Sequence, residues 1–378
     1  MSAIDLVMLG TASQREAARQ LDVCNACRYC EGLCAVFPAM ELRRSFAGGT
    51  VDYLANLCHN CGACFYDCQY APPHEFAINI PPIMATLREE SYARYVWPRS
   101  FAGFFERNGL WVVLASAVSL AAFICGFVAW NDPSALFGVH TGEGAFYRLM
   151  PHNSMVAIFG AAFLYAILAM IMSVRSFWQA AGPPLDLSLT DLWRAVRDAA
   201  TLRYLDGGGM GCMNESERPE KDRRRLFHHF AFCGFLLCFA STSLGSIVSL
   251  WQDAPYPWWH PVVVLGTLGG IGLIIGPAGL LMQNARRDPA MTAANRTGMG
   301  AAFLWLLLTI SITGLALLFL RETAAMGVLL AVHLGLVFAL FLALPYGKFV
   351  HGIYRFAALV RHAAEQRAPH PASGGEAG

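Results

Sequence analysis

Six long stretches of almost unbroken hydrophobic positions fill the chain from its second quarter onward, near 109–130, 153–174, 227–250, 261–283, 299–320 and 324–346. The first reads GLWVVLASAVSLAAFICGFVAW and carries no charge. Roughly 20 apolar residues cross a bilayer core of about 30 Å as a helix. A helix that is apolar on every face for this length is a membrane span rather than one flank of a soluble core. The pattern predicts six transmembrane helices in a domain covering 99–360. Ahead of them, residues 1–98 are mixed in polarity and read as a separate domain. Its last part, 75–98, is a connector whose Tyr92, Tyr95 and Trp97 suit the aromatic level of a bilayer surface. Between the second and third spans, LSLTDLWRAVRDAATLRYL (187–205) alternates apolar and basic positions at helical spacing. That predicts a helix lying on the membrane surface. Residues 361–378 form a tail whose composition after Pro369 predicts disorder.

Composition agrees with the pattern: 56% of residues are hydrophobic and 14% charged, far from the soluble average. The net charge of +1 identifies no partner, but its distribution sets topology. The connection from Arg175 to Arg225 holds nine Lys and Arg residues, including Arg223, Arg224 and Arg225. Arg286, Arg287 and Arg296 follow the fourth span, and Lys348, Arg355, Arg361 and Arg367 the sixth. The opposite connections offer only Arg148 and Arg321. By the positive-inside rule both termini face the cytoplasm of a bacterial-type inner membrane. Topology accounts for these basic runs, so nucleic acid is not expected as a partner.

The candidate chemistry begins with cysteine. CNACRYCEGLC (24–34) and CHNCGACFYDC (58–68) share the spacing C-x2-C-x2-C-x3-C. That is the bacterial two-cluster ferredoxin arrangement, in which the fourth thiolate of each run ligates the other cluster. The expectation is two 4Fe-4S clusters, one on Cys24, Cys27, Cys30 and Cys68, the other on Cys58, Cys61, Cys64 and Cys34. Structural zinc prefers paired knuckles and has no use for the third closely spaced Cys. Disulfides would need an oxidising compartment, and no secretory signal precedes these cysteines. Ala35 and Gln69 replace the usual proline after each run. The predicted fold class is all-α: a small helical two-cluster ferredoxin-like domain followed by a six-helix transmembrane domain.

Ionisable residues inside spans are functional candidates. His228 and His229 open the third span; His333 lies within the sixth, and His351 follows 18 residues later. Five helical turns separate the last two by about 27 Å if the helix continues through Pro345, so they cannot share one haem. His229 with His351, or His228 in its place, is the expected axial pair of a haem b. A second haem on His333 would need His152 or His260; a quinone hydrogen bond or simple packing is the other reading. Cys125, Cys233 and Cys238 read as small buried hydrophobes. DGGGMGC (206–212), with its spare Cys212, follows no strand and is no phosphate loop. No flavin or dinucleotide fingerprint occurs, so a separate protein must exchange electrons with this chain.

CNACRYCEGLCAVFPAM, LRYLDGGGMGC, RRLFHHFAFCGFLLCFAST and LPYGKFVHGIYR together resemble the tricarballylate utilization protein B family, also called the CitB type, over nearly the whole chain. The membrane half is more distantly similar to the gamma subunit of respiratory nitrate reductase. There, two haem-ligand histidines share one helix at the spacing of His333 and His351. Here Phe239 stands ten residues after His229, where a further ligand would be expected. The resemblance implies a membrane electron carrier that reoxidises a cytoplasmic FAD-dependent tricarballylate dehydrogenase. Electrons would pass through both clusters and haem b to quinone, the diffusible acceptor. Such a chain is an electron-transfer oxidoreductase component, not a substrate dehydrogenase by itself. Two alternatives remain: reverse flow from quinol to a soluble reductase, or a cluster-regulated sensor or transporter.

Overall fold

The computed structural model describes residues 10–46, 48–205, 218–252, 254–292 and 298–367. The 206–212 loop with Cys212, Arg296 and the tail beyond 367 lie outside the described residues. Five helices build the N-terminal domain: α1 (Ala12–Cys27), α2 (Val36–Glu41), α3 (Gly48–Leu57), α4 (Ala63–Tyr66) and α5 (Ile80–Tyr95). Thr11 caps α1 reciprocally with Gln14, satisfying two backbone donors that the first turn would otherwise leave unpaired. At the other end Arg28 takes a left-handed conformation, φ 55°, which stops the helix inside the first cysteine run.

Six further helices are long and apolar enough to cross a membrane. They start with α6 (Asn108–Trp130) and α7 (His152–Ala180), before the surface helix α8 (Leu189–Ala200). After it come α9 (Arg218–Val248), α10 (Pro261–Ala285), α11 (Gly298–Phe319) and α12 (Met326–Ala343). The chain is a multi-pass membrane protein, and its spans fall where hydropathy put them. Val118, Leu164, Ile171 and Trp305 stand exposed on the outside of the bundle, as a lipid-facing surface requires and a water-facing one would not tolerate.

The sixth apolar stretch ends at the proline that was expected to interrupt it. It is not one helix: a single 3-10 turn at Leu344–Tyr346 and an extended Gly347 separate α12 from α13 (Val350–Arg367). Pro345 cannot donate to the helical ladder, so the axis breaks there. His333 and His351 therefore sit on two different helices, and α13 carries the chain on to Arg367.

One core joins the two halves. Leu21, Phe37, Met40, Tyr53, Leu54, Leu57, Met84 and Tyr92 pack with Phe177 of α7 and Tyr354 of α13. A polar tie reinforces the contact, Lys348 lying 3.4 Å from Glu89, while fully buried Asp52 takes Arg94 and the Tyr95 hydroxyl within the N-terminal domain. The fold class needs one correction. The chain is all-α with six candidate spans, but its N-terminal domain does not present a ferredoxin-type metal centre. Among the described residues, no three or more His, Cys, Asp or Glu side chains form a group that could hold a metal ion.

Candidate functional site

The conspicuous side chains gather where the N-terminal domain meets one end of the bundle. The loop between α3 and α4, with the first turn of α4, carries Cys58, Cys61 and Cys64 against Tyr204 and the start of α5. Cys34, Cys58, Cys61 and Cys64 line one cavity there, and Cys24, Cys27, Cys30 and Cys68 line a second. All eight are free thiols. Each cavity offers about 20 Å³ of free space, room for roughly one water. Burial first, and the neighbouring thiols second, push Cys24 and Cys30 up to about 12 and hold Cys64 well above the ordinary thiol range.

The histidines separate. His228 and His351 face each other, with ring centroids 6.3 Å apart and planes at 72°. His229, expected as the first partner of His351, turns away and approaches the Ala200 carbonyl at 3.2 Å. His333 lies 3.2 Å from the Thr313 hydroxyl, and a Cβ on Gly314 would come within 2.8 Å of its ring. His152 bonds Ser249 at 3.0 Å and His260 stacks on Tyr256, so neither stands opposite His333. Cys125 and Cys233 are exposed on the bundle, and Cys238 is half-buried.

These placements correct the cofactor expectations. Cys24, Cys27, Cys30, Cys34, Cys58, Cys61, Cys64, Cys68, His229 and His351 were expected as metal ligands. Among the described residues no group of three or more such side chains could hold a metal ion. The two 4Fe-4S clusters, haem b and quinone as acceptor are therefore not carried by this arrangement. The electron-transfer oxidoreductase built on them, in either direction, and the cluster-regulated sensor go with them. The membrane part of the reading stands.

Comparison with known proteins supplies the identity. A family model described as "Citrate utilization protein B" matches residues 104–372, and one described as "Citrate utilization protein B Fer4-like domain" matches 17–94. The chain belongs to the citrate utilization protein B family. Citrate utilization protein B of Escherichia coli is 47% identical over 360 residues, covering 94% of each chain. No solved structure matches.

What sequence reasoning missed in this family member is the role of its basic residues. Arg224, Arg287 and Arg355 belong to runs that topology explained, yet all three point to the backbone of the 58–60 loop. Nothing in their spacing marks them, because they come from three separate segments of the chain. Between them sits buried His59, its Nδ1 2.9 Å from the Leu57 carbonyl. Burial, then the cations of Arg355, Arg88 and Arg224, drive its pKa well below 6.5. The folded state therefore keeps the neutral imidazole, while the unfolded chain binds a proton near the ordinary value. This contribution to stability is complete above about pH 6.5 and falls as pH drops below it. His59→Gln should flatten the acid limb of a thermal-stability profile between roughly pH 6.5 and 5. An unchanged slope would show that His59 is not the group responsible.

Proposed function

We propose that this chain is the membrane partner of a cytoplasmic FAD-dependent dehydrogenase in the utilization of a tricarboxylate, citrate or tricarballylate. The full-length match to a citrate utilization protein B carries the reading. The distant likeness of the membrane half to a nitrate reductase gamma subunit supports it too, as a membrane subunit paired with a soluble enzyme. The proposal puts both termini on the cytoplasmic side of an inner membrane, and the basic connections support it.

The N-terminal domain has the surface such a partner would need. Tyr29 is 62% exposed, and Leu42, Tyr66 and Phe76 are exposed as well. Tyr29 borders one of the cysteine-lined cavities. Aromatic side chains in a polar rim are typical anchors of protein interfaces. Of the basic pair beside them, Arg43 is committed to Glu365 and to the Ala39 carbonyl, whereas Arg44 is exposed.

Membranes holding this chain should co-sediment the flavoprotein, and membranes lacking it should not. Tyr29→Asp should weaken that association about tenfold while the spans still insert, the size of a typical anchor loss. Deleting the gene should stop growth on one of the two tricarboxylates. Unimpaired growth on both, or equal sedimentation without the chain, would refute the proposal.

A further inference from the structure

Four guanidinium groups from four separate segments close on two carbonyls of one loop. Arg88 of α5 donates to the Cys58 carbonyl oxygen at 2.6 Å, and Arg355 of α13 donates to the same oxygen at 3.0 Å. Arg224 of α9 and Arg287, just beyond α10, donate to the Asn60 oxygen at 3.1 and 2.9 Å. Carbonyl dipoles satisfy single N–H groups but cannot neutralise four positive charges. Among the residues whose side chains are described, which leaves out 218–222, none of the four arginines lies within ion-pair distance of a carboxylate. Glu89, next to Arg88 in the chain, is engaged by Lys348 at 3.4 Å. Cys58 and Cys61 lie close enough to Arg224, and Tyr92 to Arg355, to interact with them electrostatically.

The nest has further unspent capacity. Arg88 is only 6% exposed, and Arg355 Nε and His228 Nδ1 are buried with no hydrogen-bond partner. Arg287 is half-buried beside exposed Arg286, which leaves a way in from outside. Like charges this close repel strongly where water is excluded, and burying one without a partner is costly. Guanidinium forks match the paired oxygens of carboxylates and phosphates.

We propose that this nest, at the junction of the N-terminal domain and the membrane bundle, binds a ligand with two or more clustered anionic oxygens. Two sources present that chemistry: a soluble tricarboxylate and the headgroup of an anionic lipid. A ligand seated there would bridge α5, α9, α13 and the segment after α10, and so lock the cysteine-bearing domain onto the bundle. The proposal does not depend on the dehydrogenase partner, and its test contains none.

The test uses the delipidated full-length protein in neutral detergent. Citrate and inorganic phosphate are titrated at ionic strength matched with sodium chloride. In parallel, the protein is placed in nanodiscs of phosphatidylglycerol or of phosphatidylcholine. Thermal unfolding and calorimetric binding are recorded. Saturable stabilisation by citrate in detergent identifies the soluble source. Stabilisation in phosphatidylglycerol discs but not in phosphatidylcholine identifies the lipid. In either case Arg287→Gln should weaken the interaction at least tenfold, and Arg287→Lys, which keeps the charge and loses the fork, should weaken it less. Arg286→Gln, the exposed neighbour, should leave it unchanged. The absence of any anion-specific shift in the wild type overturns the proposal, as does equal binding by Arg287→Gln. Should Arg287→Gln fail to fold, Arg287→Lys decides, and wild-type affinity in that variant is an overturning result.

Discussion

Replacing Arg361 by alanine should detach the N-terminal domain from the bundle. Arg361 is 2% exposed, and its Nε donates to Glu365 at 3.0 Å while Nη2 donates to the Pro183 carbonyl at 3.2 Å. Glu365 also holds Arg43 at 2.7 Å and accepts from the Tyr53 hydroxyl at 3.1 Å. The guanidinium lies over the Tyr53 and Trp178 rings, so it contributes packing as well as charge. The chain passes so close at Gly182, φ +148°, that a Cβ there would meet Arg361 Nη2 at 2.3 Å. This one side chain thus ties Tyr53 of α3, Trp178 of α7 and the segment after α7 to α13. Removing it takes one of two cations from buried Glu365 and leaves Arg43 as the other, so the loss falls below the about 3–5 kcal/mol of a fully unpaired buried charge. Limited proteolysis should cut Arg361→Ala between the domains under conditions where the wild type is protected. Equal protection would mean that the shared apolar core alone holds the halves together.

The second large effect is expected at the seam between α9 and α10. Their backbones meet through glycine: a Cβ on Gly276 would stand 2.4 Å from Ala231 N and 2.8 Å from the Phe227 carbonyl oxygen. On Gly269 it would meet Cys238 N and Sγ, each at 2.7 Å. Small residues at a crossing allow dispersion contacts between backbones, a main source of helix association in lipid, where no hydrophobic drive remains. Gly276→Leu should force the pair apart at a cost of about 1–3 kcal/mol or more. Gly300→Leu meets nothing within 4 Å and serves as the control. Cys238 reports the opening, since half-buried Sγ packs on Gly269. Its alkylation by a membrane-permeant maleimide should accelerate severalfold in Gly276→Leu and not in Gly300→Leu. Equal rates would show that the seam can absorb the larger side chain.

Gly276 also illustrates where local reading stops. The glycines of GTLGGIGLIIG suggest close helix packing, but only the assembled bundle shows that α9 is the neighbour and Phe227 and Ala231 the contacts. The same division holds at the histidines. Adjacent His228 and His229 point about 100° apart on a helix. Which of them meets His351 depends on the rotation of α9 against α13. Packing chose His228 and left His229 to the Ala200 carbonyl.

By itself the sequence determined the properties that are additive along the chain. Hydropathy over about 20 residues defines six spans, because transfer from water to lipid sums residue by residue. Pro345 carries its own helix break, since the missing N–H is covalent. Thr11 with Gln14 and Ser188 with Asp191 fix the starts of α1 and α8 through contacts three residues apart. Tertiary structure decided everything that depends on two distant segments meeting. It gathered Arg88, Arg224, Arg287 and Arg355 on two carbonyls, and set the size of the two cavities that the cysteines line. It also left no group of side chains fit to hold a metal ion among the described residues. Cysteine spacing limits which thiols can be neighbours. The free space between them and the charge around them are set by how helices far apart in sequence pack, and no periodicity along the chain encodes that.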